Sequence, residues 1–133
     1  MRALSLAALT ALELSPVEMV RCAADTGYTH VGLRLLPATL NEPVWATVGD
    51  TPMARELQQV RAGTGIRVLD IEILRLTPQG EVADFLPVLE SGAALGARYV
   101  LVAGNDPVES RLINRPLRAT VRPGRAIRAF ALP

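Results

Sequence analysis

The sequence predicts an α/β protein built on a parallel sheet, and three observations carry that expectation. Helix-stop signals recur along the chain, an apolar strand follows each of them, and helix-start signals lie in between. The stops are "TGYTHVGLRL" from Thr26, "TGIRVLDIEIL" from Thr64 and "LGARYVLVAG" from Leu95. Gly27, Gly65 and Gly96 stand where a left-handed residue closes a helix. Their spacings of 38 and 31 residues match one strand, loop and helix.

In chain order, the apolar run at 3–8 reads as a first strand. Ser15-Pro16-Val17-Glu18 is a capping box with proline at the first helical position, so a helix is expected over 16–26. A strand at 30–35 follows. Thr51-Pro52 repeats the cap and proline for a helix at 52–63, which leads to a strand at 67–74. A third helix is expected over 84–95, because Pro87 is tolerated only in a first turn. Phe85, Val88, Leu89, Gly92 and Ala93 then form its packing stripe. A fourth strand spans 98–103. Alternation of this kind, with strands apolar on both faces, specifies a parallel sheet that is doubly wound or closes into a barrel. In both architectures functional groups gather at the carboxyl ends of strands.

The 133 residues amount to one domain, and a hydrophobic share of 50% is enough for a core. No apolar run reaches the roughly 18 residues that a membrane helix needs. Arg2 followed by "ALSLAALTAL" imitates a signal peptide, but "SPVE" follows directly and makes the stretch a strand feeding a capped helix. A single cysteine, Cys22, is expected as a small core residue in a reducing cytoplasm. Charge divides the chain in two. Residues 1–106 hold 8 Arg against 12 acids, a net of −4, whereas 107–133 hold 6 Arg against Glu109 alone, a net of +5. All 14 basic residues are Arg, a bias that fits a GC-rich genome.

The third strand poses the functional question. Strict alternation places Leu69, Ile71 and Ile73 on one face and Val68, Asp70, Glu72 and Leu74 on the other, so two acids interrupt an apolar face. Carboxylates removed from water need a partner, a metal or a wet cavity. Arg34, near the end of the second strand, points the same way. It forms either a structural ion pair or part of a polar barrel mouth, with Arg34 holding an anionic or polyhydroxy substrate and Glu72 accepting hydroxyl hydrogen bonds or supporting a metal ligand. Asp70, one layer deeper, reads as structural or supporting. Asn105 and Asp106 end the fourth strand at the same rim, where helix capping is the competing role. His30 shares the Arg34 face at the strand's opposite end and reads as a plug or pairing residue. Trp45, in the connection "PATLNEPVWATVGD", is either a lid or loop packing. No P-loop, GxGxxG, CxxC or HExxH is present, so neither nucleotide nor zinc is indicated by motif.

"LSLAALTALELSPVEMVRCAADTGYTHVGLRLLPAT", "TGIRVLDIEILRL" and "LGARYVLVAGNDPVESRLI" together resemble the first half of a sugar phosphate isomerase/epimerase of the xylose isomerase-like TIM barrel superfamily. That superfamily also includes AP endonucleases of the endonuclease IV type. The resemblance spans about residues 3–114, and "HVGLRLLPAT" with "LDIEILRL" is its most specific part. It implies a partial TIM barrel of about four strands and three helices over residues 1–106, followed by an irregular basic tail at 107–133. It also implies a cytoplasmic isomerase or epimerase that moves a proton or hydride next to a sugar carbonyl. The implied partner is a small sugar or sugar phosphate, and the implied cofactor is a divalent Mn, Mg, Co or Zn. Arg34, Glu72 and Asn105 are the expected substrate-binding residues. The family's metal ligands lie on the fifth to eighth strands, so no catalytic or metal residue is assigned here, and little activity is expected of this chain alone.

The tail "NRPLRATVRPGRAIRAFALP" is broken by Pro116, Pro123 and Gly124. Three readings compete for it: a basic arm for nucleic acid, which lacks interleaved aromatics and is disfavoured; a half-barrel that pairs with a copy of itself; and out-of-frame translation of GC-rich DNA, which the composition favours. The alternative to an enzyme is a noncatalytic binding module, self-associating or using the tail on an acidic partner. No membrane partner is expected.

Overall fold

The computed structural model describes residues 2–104 and the backbone of residues 128–132. The strands are β1 (Ser5–Leu6), β2 (His30–Arg34), β3 (Arg67–Leu76), β4 (Tyr99–Gly104) and β5 (Arg128–Leu132). Three helices alternate with the first four: α1 (Pro16–Asp25), α2 (Pro52–Thr64) and α3 (Leu86–Ala94). The five strands form one sheet in the order β1-β2-β3-β4-β5, and every neighbouring pair is parallel. The sheet does not close into a barrel, so the fold is a partial, alternating α/β structure.

Local signals act as the residue types dictate. The Ser15 hydroxyl accepts from the Glu18 amide, and the Glu18 carboxylate accepts from the Ser15 amide, which satisfies two orphan donors of α1. Thr51 caps α2 in the same way through the Ala54 amide. Gly65 closes α2 at φ 74°, a conformation that glycine adopts without cost. Ahead of α3, a 3-10 turn at Val82–Phe85 takes the first part of the expected helix, and Pro87 falls in the opening turn of α3.

The core lies between the helices and one face of the sheet. Val20 and Ala23 of α1, Leu57 of α2 and Val88 and Leu89 of α3 are buried against Val31, Leu33, Ile71, Leu74, Val100 and Val102. Each such aliphatic side chain contributes roughly 1.5–3 kcal/mol on full burial. Packing is closest where α3 crosses β3: a Cβ on Gly92 would lie 2.5 Å from Ile71 Cδ1. Among the described residues the other face of the sheet carries no helix.

Three features differ from the sequence expectations. Only Ser5 and Leu6 of the first apolar run pair as a strand, and the chain then turns through a 3-10 segment at Ala8–Thr10 that buries Ala8. Having a single neighbour, this edge strand gains little from further extension. Second, a fifth strand joins the four expected: "RAFAL" at 128–132 pairs with β4 along its length, while the rest of the tail lies outside the described residues. This run follows the proline and glycine breakers and satisfies an edge of β4 that would otherwise lie open.

The third difference concerns faces. In the β2/β3 register Val31 faces Val68 but Gly32 faces Asp70, so Leu69 is an extra residue. Against β4, Ile71 faces Val100 and Leu74 faces Val102, so a second extra residue falls at Glu72–Ile73. Each bulge reverses the alternation. Val68, Ile71, Leu74 and Leu76 therefore share the helix-covered face, and Asp70 and Glu72 keep the uncovered one without the apolar flanks that strict alternation assigns to them.

Candidate functional site

Glu72 and Arg34 meet as the sequence suggests. β2 and β3 set them opposite each other in register, and Arg34 Nη2 donates to Glu72 Oε2 at 3.0 Å. A third member was missed. Glu42, from the connection after β2, accepts from Arg34 Nη1 on both carboxylate oxygens at 2.9 Å. It also accepts from the Ala38 amide at 2.9 Å. The side chains of Arg34, Glu42 and Glu72 are only 12%, 17% and 5% exposed.

Counting donors accounts for the cluster. A guanidinium carries five N–H groups, more than one carboxylate can take, and a buried one needs a second acceptor. Nη1 contacts both oxygens of Glu42 and Nη2 donates to Glu72, whereas the buried Nε has no partner among the described residues. Burial works against the charged guanidinium, but its bonds to Glu42 and Glu72 outweigh that effect and raise its pKa. The Ala38 amide and then Arg34 hold the Glu42 carboxyl below its ordinary value, against the opposing effect of burial. Arg75 Nε donates to the Ala38 carbonyl at 3.0 Å, so the loop is fastened to β3 as well as to β2.

Asp70 is outside this ion pair. It stands opposite Gly32 on one side and Tyr99 on the other, half-buried on the uncovered face. Gly32 makes room for it: a Cβ there would lie 2.7 Å from Asp70 Oδ1. Burial first, and then the charge of Glu72, push the Asp70 carboxyl up from 3.8 to about 6. It therefore exchanges its proton close to neutral pH, whereas Glu72, two residues further along β3, is tied to the Arg34 guanidinium.

Trp45 and Pro43 line a cavity of about 20 Å³ beside Arg34, Glu42, Leu33 and Met19, too small for a sugar in this conformation. His30 lies at the start of β2, away from the cluster, with Nδ1 2.8 Å from Thr29 Oγ1. Cys22 is half-buried against the core. Asn105 and Asp106 lie outside the described residues. Among the described residues no three His, Cys, Asp or Glu side chains gather as metal ligands. Glu42 and Glu72 are instead committed to Arg34, so these residues do not fit the divalent ion that the resemblance implies. Among the described residues no helix is long and apolar enough to cross a membrane.

No family model matches the chain, and no curated protein matches it. Among solved structures it is similar to an uncharacterized protein from Parabacteroides distasonis ATCC 8503, with a TM-score of 0.57 and 13% identity. The match covers 76% of this chain and 42% of that one, so the chain spans about two fifths of its neighbour's length. At this identity the likeness concerns the fold.

Proposed function

We propose that this chain supplies the substrate-cradling part of an isomerase or epimerase acting on a sugar or sugar phosphate, in a reducing cytoplasmic setting. The observation that carries the reading is Asp70, a half-buried carboxyl, beside the Arg34-anchored Glu72 on the sheet face that no helix among the described residues covers. Asp70, with its pKa near 6, takes or returns a proton at neutral pH. Moving a proton on a carbon next to a carbonyl requires such a group. Glu72 accepts hydroxyl hydrogen bonds on its remaining lone pairs, and Arg34 fixes Glu72 in place rather than gripping an anion, since both of its Nη atoms already hold carboxylates. Asn105, outside the described residues, remains a proposed hydroxyl contact. The resemblance in "HVGLRLLPAT" and "LDIEILRL" supports the same substrate class.

A test that needs no turnover is NMR titration of the isotopically labelled protein with D-xylulose, a ketose without phosphate. Saturable shifts centred on residues 32–34 and 70–72, weakened by Asp70→Asn, are expected. Shifts that are absent at high millimolar sugar, or that scatter over the surface, would sink the proposal. A noncatalytic interaction module is the second reading, favoured by the engagement of both Arg34 Nη atoms with two carboxylates. In that case the sugar leaves the uncovered face untouched.

A further inference from the structure

The end of the sheet remote from Arg34 has the opposite chemistry. His30 opens β2, Arg67 opens β3 and Arg98 immediately precedes β4, so three successive strands begin at a basic residue. The register extends the row, because the first residue of β5, Arg128, stands opposite Tyr99. Arg61, in the last turn of α2, reaches the same edge and lines a cavity of about 200 Å³ with His30, Arg67, Gly96 and Arg98. A second cavity of about 440 Å³ adjoins it, shares His30 and Arg67, and adds Arg2 and Thr29. Among the described residues no Asp or Glu lines either one.

The arginines here are also unspent. Arg2 and Arg67 form no ion pair among the described residues. Among the described residues the Arg98 guanidinium engages only the Tyr99 ring, 5.9 Å from its centroid, and Arg61 gives one bond to the neutral Gln58 side chain. The Nε of Arg61 is buried without a partner among the described residues. By contrast Arg21, Arg34 and Arg55 each hold a carboxylate. The carboxyl ends of three helices face this edge, each with about half a negative charge, which offsets only part of four full positive charges.

We propose that this amino-terminal edge of the sheet is an anion site for a small solute bearing two or more phosphate groups, gripped chiefly by Arg61, Arg67 and Arg98. Planar guanidinium forks match phosphate oxygens, and several on one concave surface favour a multivalent anion over a single phosphate. The recessed cavities suit a compact solute better than a polymer backbone. The site lies at the opposite end of β2 and β3 from Glu72 and does not depend on the sugar-directed reading.

The test is a calorimetric and NMR titration of the full chain with inorganic diphosphate, with orthophosphate and a short single-stranded oligonucleotide as comparison arms. Diphosphate is expected to bind saturably and more tightly than orthophosphate, with shifts at residues 28–30, 65–67 and 95–98. Arg67→Ala and Arg98→Ala should each weaken it about tenfold, the equivalent of one lost charge-assisted contact. Arg55→Ala, at an exposed arginine of another surface, should leave binding unchanged. Equal weakening by Arg55→Ala, no saturable diphosphate binding, or binding of the oligonucleotide alone would each overturn the assignment. Folding of the variants is checked by the unchanged amide spectrum of the carboxyl half of the sheet.

Discussion

Replacing Asp70 with asparagine should stabilise the protein at neutral pH and change it little near pH 4. Burial and the charge of Glu72 raise the carboxyl from 3.8 to about 6, so over that interval the folded state holds a proton that the unfolded state has released. Stability therefore falls as pH rises from about 4 to 6 and stays reduced above that. A rise of about 2 at 1.36 kcal/mol per pH unit corresponds to about 3 kcal/mol. Because Asp70 is only half-buried, solvent screening reduces this to roughly 1–2 kcal/mol. Asparagine has nearly the same shape, fits beside Gly32 and carries no charge. Urea denaturation of both proteins at several values between pH 4 and 7.5 gives the difference directly. Glu42, whose carboxyl is depressed, loses its contribution only as pH falls through its folded value, and it does so in both proteins, so it cancels. A stability difference that stays flat from pH 4 to 7 would refute the placement of a protonatable carboxyl on this face.

Two further substitutions probe the same neighbourhood. Gly32→Ala forces a methyl group to within 2.7 Å of Asp70 Oδ1 and should cost about 1–3 kcal/mol by overpacking. Most of that cost should vanish in the Gly32→Ala/Asp70→Ala double variant, and additive costs in a urea cycle would show that the two sites do not touch. Arg34→Ala leaves two nearly buried carboxylates without their cation and should cost about 3–5 kcal/mol. A loss well under 1 kcal/mol, or one abolished by moderate salt, would mean that the pair is solvated.

Much of this architecture is legible because local chemistry announces it. Ser15, Thr51, Pro52, Pro87 and Gly65 mark helix ends by side-chain acceptors, fixed φ and tolerance of positive φ, and all act as those properties require. The Arg34–Glu72 pair is legible from the positions of these residues along adjacent strands. Glu42 is not, because it reaches Arg34 from a loop whose path no periodicity describes. The donor count of a buried guanidinium says that a second acceptor exists without saying which. The bulges at Leu69 and Glu72–Ile73 are hidden for a related reason: a period of two can be read from a sequence, but a skipped beat depends on the neighbouring strand. Strand β5 is obscured by its arginine-rich surroundings, although "RAFAL" satisfies the open side of β4.

The two bulges also bear on how this chain tolerates change in length. An ordinary strand residue cannot be deleted without turning everything beyond it to the wrong side of the sheet. Leu69 and the Glu72–Ile73 pair are different, because each holds a residue for which the neighbouring strand has no counterpart. Loss of one residue there leaves Val68 and Ile71 among the helices and Asp70 facing outward. These are the points at which the segment can shorten over evolutionary time, so an alignment of β3 with a more regular strand should open its gaps at Leu69 and at Glu72–Ile73.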